Sequence, residues 1–548
     1  MKTVLAVLPI DIPACPGSLP HPSHESCVPA RDRRAFTLRP LRLVATILLL
    51  VTGCGSVLAQ SPDVPTIRVT SGLVFLDVTV LDKKGRPVVK GLTKDDFLIT
   101  EDHKPQRIFS FEAPETHVVD ASAADDNLSG KAPLTIFVLD LLNSSFEDFA
   151  YTRYEIRKYL ATQPARLSSP AELMVLGNQS LEMAQGYTRN KEDLLYTLDH
   201  VKPIYPYKLM NGGFTVERLG QSLDTLEQIA LQNAGVPGRK NIVWFGHGAP
   251  NLTLTFYDAG EFADELMQDV HSTTNMLVDA RISLFVIYPG IPAEGAGIPF
   301  SAMRADADLG DNDPFAGDVN FGLFVNETGG KLFYPHNDID KEINQSLQMG
   351  TEYYTLTYQP HNLDQNGKFR RIRVSLRDPK LRAITKAGYF GPDKNASVNP
   401  QQQKMLKLSE AVRSTIPLTA LHLSLSNLVR HPDSRTAEVT VELESKNITL
   451  LPADDGKDTA TFTVAAASLK KDRGILASKT ENLTLVSTTP HPYRLPKVLW
   501  QFPLTIRVPP KTQSLRVVLE NQDAGRIGAA ELDRKAIDAA PATATPMP

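Results

Sequence analysis

Leu134-Thr135-Ile136-Phe137-Val138-Leu139-Asp140-Leu141-Leu142-Asn143-Ser144-Ser145 decides how this chain is read. Its first six positions are a near-continuous apolar run, the pattern of a strand covered on both faces of a parallel sheet. The run stops at a carboxylate, followed by an amide and two hydroxyls. In an open α/β sheet, ligands bind where strands end in this way.

Outward from that run, strand and helix patterns alternate. A helix is predicted over Phe149 to Ala161, a strand over Glu172 to Gly177 and an edge strand over Ser180 to Tyr187. Val216, Leu219, Leu223, Leu226 and Ala230 recur at helical spacing until Gly235 and Pro237 stop them. Asn241 to Phe245, Ile282 to Tyr288 and Lys331 to Tyr334 read as further strands. Helices are expected around Leu266 and Val270, over Phe321 to Thr328 and over Ile339 to Met349. This alternation predicts an α/β domain over residues 133–350, with a mainly parallel sheet covered on both sides.

The flanks read as β-rich. Residues 61–116 are predicted to form a small β-sandwich, and the strands of 351–392 to return to it. Residues 117–132 and 393–413 are expected to be linkers, 414–530 a C-terminal β-sandwich and 531–548 a disordered tail.

Residues 1–60 read as an unstructured extension followed by an export signal. Arg31, Arg33, Arg34, Arg39 and Arg42 precede the apolar run Leu43 to Val51, which is too short to span a bilayer. Two processing sites compete: Val51-Thr52-Gly53-Cys54, with Cys54 lipidated, or Val57-Leu58-Ala59, with cleavage before Gln60. Membrane contact is expected only through this segment or a lipid anchor, and the location is periplasm, cell surface or outside the cell. The three cysteines, Cys15, Cys27 and Cys54, all lie here, so the folded domains rely on buried apolar surface. A net charge of −4 over 548 residues provides no basic field for nucleic acid.

Several stretches are shared with a known family: VFLDVTVLDKKGRPVVKGLTKDDFLITED, FVLDLLNS, GRKNIVWFGHG, EYYTLTYQP, GKFRRIRV and AGYF. From Ile67 to Pro392 the chain resembles the von Willebrand factor A domains. More closely, it resembles the VWFA-related proteins abundant in acidobacteria. The resemblance implies a Rossmann-like A-type domain flanked by β-sandwich-like domains. It also implies a metal-ion-dependent adhesion site of the form D-x-S-x-S, with a Thr from a second loop and an Asp after the fourth strand. Asp140 and Ser144 fall on that motif, Leu142 replaces its middle hydroxyl, and Thr215 is the second-loop counterpart. Gly246 and His247 stand where the Asp is expected. The candidate ligands for Mg²⁺ or another divalent cation are therefore Asp140, Ser144 and Thr215, in a degraded site.

The candidate binding loops carry Asp140, Asn143, Ser144, Ser145, Thr215, Gly246, His247 and Gly248. In the structural reading, Asp140 and Ser144 merely bond their loop and cap the next helix. Asp306, Asp308, Asp311 and Asp313 crowd another loop, without the spacing of a calcium-binding loop. No G-x-S-x-G, H-E-x-x-H or phosphate-binding glycine loop is present, so no enzyme is expected. The expectation is an exported adhesion or binding protein of the cell envelope that contacts a protein or a glycan. The alternatives are a hydrolase centred near His247 and a structural component of an envelope assembly.

Overall fold

The computed structural model describes residues 6–10, 72–117, 132–253, 261–290, 313–315, 318–334, 338–394, 399–445, 447–452, 457–487 and 499–543. The export segment with Cys54, the polar stretch 118–131, and Asp306, Asp308 and Asp311 lie outside the described residues.

The deciding run forms the strand Leu134–Asp140 (β1), with every residue buried. Then follow Phe146–Thr162 (α1), Arg166–Leu176 (β2), Leu181–Asn190 (β3), Lys191–His200 (α2), Thr215–Gln232 (α3) and Lys240–Phe245 (β4). Glu261–Asp279 (α4), Ile282–Ile287 (β5), Phe321–Glu327 (α5), Lys331–Phe333 (β6) and Ile339–Thr351 (α6) complete the unit. The strand order is β6-β5-β4-β1-β2-β3. All neighbours are parallel except β3, which runs antiparallel on the edge.

Successive β1 side chains point to opposite faces. Ile136 and Val138 join the core under α3, α4 and α5, while Phe137 and Leu139 join the core under α1, α2 and α6. Each fully buried side chain of this size stabilises the fold by about 1.5–3 kcal/mol. The apolar stripe of α3 is buried from Leu219 to Ala230 as its spacing predicts, with Val216 half-buried at its start, and α1 starts three residues earlier than the apolar pattern shows because Ser145 caps it.

On β2 the same burial captures a carboxyl. Glu172 is fully buried; Gln232 donates to Oε2 at 3.1 Å, and Oε1 has no partner. Burial pushes its pKa up to about 8. The folded chain therefore holds a proton that the unfolded chain releases above its ordinary value of 4.5, so stability falls as pH rises from there to about 8. Half-buried Glu227 and buried Glu327, also pushed up to about 8 by loss of water around them, act with the same sign. Glu172→Gln is expected to match the parent in urea melts near pH 4. Near pH 8.5 it should exceed it by about 1–3 kcal/mol. Equal melts at the higher pH would mean that water reaches this carboxyl.

The first β module is built from both sides of the α/β unit. Val74–Leu81 lies between Tyr354–Tyr358 and Arg382–Ile384, in a sheet that also holds Ile108–Glu112. A second sheet holds Phe97–Glu101, Lys104–Gln106, Phe369–Leu376 and Gly388–Phe390. Leu76, Val78, Phe97, Ile99, Leu356 and Tyr358 fill the space between them. Arg239 joins this module to the α/β unit. It is fully buried and donates to Ser283 Oγ (2.9 Å), Thr79 Oγ1 (2.9 Å) and the carbonyls of Met349 (3.2 Å) and Gly329 (3.3 Å). Next to it, Arg281 pairs with Asp77.

Three expectations for the flanks are corrected. The segment 393–413, read as a linker, contains the helix Pro400–Arg413, started by a capping box between Asn399 and Gln402 with proline in the first turn. Of the segment 531–548, read as a disordered tail, the described residues 531–543 continue the strand Arg526–Asp533 and then form the helix Arg534–Ala539. Asp533 caps that helix, Ile537 is buried, and Thr543 bonds back to Arg430. The extension read as unstructured contributes Ala6–Ile10 as an edge strand beside Ile475–Ser487. The C-terminal module packs that largely antiparallel sheet on a three-stranded one, where Trp500, Phe502, Leu504 and Ile506 alternate inward.

Candidate functional site

At the carboxyl end of β1, Asp140 is almost completely buried and both of its oxygens are occupied. Oδ1 accepts from the Asn143 backbone N–H (2.9 Å) and from Asn143 Nδ2 (3.1 Å). Oδ2 accepts from Trp244 Nε1 (3.0 Å), from the Gly248 N–H (3.1 Å) and from Asn143 Nδ2 (3.2 Å). Burial raises its pKa, against those hydrogen bonds and the charge of Arg218.

Two glycines allow the loop after β4 to close over this carboxylate. A Cβ on Gly246, at φ +142°, would stand 2.6 Å from Asp140 Cβ and 2.7 Å from Ser144 Oγ. Gly248, at φ +68°, turns its N–H toward Asp140, and a Cβ there would meet the Phe321 ring at 2.2 Å.

Asn143 is the hinge of the network. Its Nδ2 also donates to Ser222 Oγ (3.2 Å), and its Oδ1 accepts from Arg218 Nε (2.9 Å). Ser145 and Asp148 form the capping box of α1. Asp148 also faces His247, with Nε2 3.5 Å from Oδ2. Burial opposes the Asp148 charge, but His247 and Ser145 hold its pKa below the usual carboxylate range. Ser144 Oγ and His247 Nδ1 are buried without hydrogen-bond partners, so no bond links this hydroxyl to this imidazole. Thr215 does not join the cluster through its hydroxyl, which donates to the Gly212 carbonyl at 2.8 Å. From the acidic loop, Asp313 accepts the Phe315 N–H and pairs with His271 at 2.6 Å.

These donors do not fit Mg²⁺. A hard cation needs carboxylate and hydroxyl lone pairs facing one open point. Here N–H groups take the lone pairs of Asp140, the Thr215 hydroxyl is turned to its own loop, and a Cβ does not fit at Gly246. Among the described residues, no three His, Cys, Asp or Glu side chains converge as metal ligands do.

Comparison with protein-family models finds no match, and no curated protein matches the chain. Among solved structures, the VWA domain of SpRpn10 aligns over 29% of this chain and 89% of its own, at 11% identity and a TM-score of 0.15. That likeness adds no weight; the α/β assignment stands on the strand order and pairing. No helix of the described residues is long and apolar enough to cross a membrane.

Sequence reasoning missed Arg218 and Trp244. Arg218, Ser222 and Thr225 are all buried, at a helical i, i+4, i+7 spacing beside the leucine stripe of α3. That polar stripe was the available signal. Trp244 pairs in register with Val138, two residues before Asp140, which places its indole N–H at the carboxylate.

Proposed function

We propose that this chain is an exported binding protein of von Willebrand factor A type. Its carboxyl-end face would contact a protein or glycan of the cell envelope without a bound metal. Export rests on the arginine-flanked apolar run before Gln60.

The observation that carries the binding reading is a set of exposed aromatic and apolar side chains on this face. Tyr205 is 73% exposed, Met210 64%, Phe146 54% and Tyr207 42%. The loop holding Tyr205 is tied to the sheet end, where Asn178 Nδ2 donates to the Tyr205 carbonyl at 2.9 Å. Phe146 opens α1 directly after the Asp140–Ser145 loop. Large apolar side chains kept in water at a rim of fixed polar groups mark a contact surface.

The test is binding of the full chain to peptide and glycan arrays, beside a Tyr205→Ser/Tyr207→Ser variant. Both rings are exposed, so stability should change by less than about 0.5 kcal/mol for each. Binding should fall at least about tenfold, the loss of one contact worth about 1.4 kcal/mol. Unchanged binding by the variant would remove this face from the reading.

A further inference from the structure

In the C-terminal module, Ile475–Ser487 is a strand of 13 residues, long for an edge. One side of it pairs along Asp458–Leu469. On the other side, among the described residues, its partner is Ala6–Ile10, which covers Thr480 to Thr484 and pairs with nothing from Ile475 to Lys479. Pro9, opposite Glu481, has no N–H to give, so even this short cover is incomplete. Ala6–Ile10 also precedes both processing sites, at Cys54 and Gln60. Cleavage at either would take the cover away and leave a row of open backbone donors and acceptors.

We propose that export processing uncovers this edge and that the processed chain dimerises through it, Ala477 to Leu483 pairing antiparallel with the same residues of a second copy. This rests on the export reading above and adds a partner to it. The strand is complementary to itself. Lys479, Glu481 and Leu483 share one face, in register with Ala466, Val464 and Phe462 of the neighbouring strand. About a two-fold axis through Thr480, Lys479 of each copy stands opposite Glu481 of the other, Ser478 opposite Asn482, and Ala477 opposite Leu483. Two opposite-charge pairs form at once, and each supports the pairing. Moving the axis to Lys479 or to Glu481 sets like charges face to face, so the charges select one register. Within one chain Lys479 and Glu481 are already paired, so dimerisation exchanges their partners and strips neither charge bare.

The test is sedimentation velocity on the full chain with a protease site introduced between Gln60 and Ser61. Intact, it should stay monomeric; cut and freed of its N-terminal piece, it should form dimers as concentration rises. Lys479→Glu and Glu481→Lys should each raise the dissociation constant of the cut chain at least about tenfold, since each sets like charges opposite at two places. Mixed, the two variants should recover the dimer, because every glutamate of one then faces a lysine of the other. Misfolding cannot produce that recovery. If Glu481→Lys fails to fold, the falling order parent, Lys479→Gln, Lys479→Glu carries the comparison. A cut chain that stays monomeric up to about 100 μM, an intact chain that dimerises equally well, single variants as tight as the parent, or a mixture no tighter than either variant would each overturn the proposal. N-terminal sequencing of the chain recovered from expressing cells separates the two readings. Dimers after the cut, from a chain that cells leave unprocessed, would keep the edge and discard export as the event that opens it. A processed chain that stays monomeric would keep export and discard the edge.

Discussion

Arg239→Met should lower the stability of the chain by about 3–5 kcal/mol, the range for removing one partner from a buried charged network. The guanidinium serves four acceptors: Ser283 on β5, Thr79 in the first β module, and the Met349 and Gly329 carbonyls. Its carbon lies 5.5 Å from the centre of the Tyr353 ring and 5.9 Å from that of Phe285. Burial lowers its pKa and the charge of Asp77 acts in the opposite sense, so the acceptors and rings bear most of the compensation. Methionine fills much of the volume but donates to none of the four acceptors, of which, among the described residues, the Met349 carbonyl alone keeps a donor, the Thr79 hydroxyl at 2.7 Å. For an α/β unit of this size, the loss corresponds to roughly 6–20 °C in the melting temperature. Arg239→Lys should fall between, because one ammonium cannot reach all four. A melt of Arg239→Met within about 2 °C of the parent would show that water replaces the guanidinium without cost.

Asp140→Asn tests the other buried network. The substitution hardly changes shape, but it exchanges an acceptor for an NH₂ group among the N–H donors of Trp244, Gly248 and Asn143. At least one donor is left unmet, at about 1–3 kcal/mol each. Removing a carboxylate whose pKa burial has raised returns part of this, and the net loss should be about 2 kcal/mol. The chain has two tryptophans, so a Trp500→Phe background isolates Trp244, whose emission should shift when its indole N–H loses the carboxylate. A destabilised protein with unchanged emission would place the damage away from that bond. Unchanged stability and emission together would mean that Asp140 is already protonated in the parent and donates a hydrogen bond of its own.

What the sequence made legible was whatever repeats locally. The apolar run of β1 and the 3-4-3-4 spacing of α3 announce their elements because burial acts on each at its own period. The departures at Leu142 and Gly246 were also readable, and they pointed away from a metal. What fills the gap was not readable, because Asp140 draws its donors from its own loop, from β4 and from the turn after it, while Arg218 arrives from α3 through Asn143. Linear spacing carries no information about such meetings. The helix at Pro400 is a different kind of miss: Asn399, Pro400 and Gln402 form a local start signal, passed over because the surrounding composition looked like a linker. The Gly238-Arg239-Lys240-Asn241 stretch served only as a family signature, yet its two cations are buried, one spanning the junction and the other bonding the carbonyls of Val236 and Gly238.

The divided first β module also sets a timetable for synthesis. Asp77 and Thr355, hydrogen-bonded in adjacent strands, lie 278 positions apart. At ribosomal speeds the interval between them is on the order of 15–55 s. Throughout it, Val74–Leu81 has neither of its neighbouring strands, because both Tyr354–Tyr358 and Arg382–Ile384 come from the far side of the α/β unit. A nascent chain must therefore carry an apolar ribbon with two open edges while the central unit emerges and folds, and a product released before Tyr354 never closes it. Holding that ribbon apart from other chains is a task for whatever escorts the polypeptide during translation.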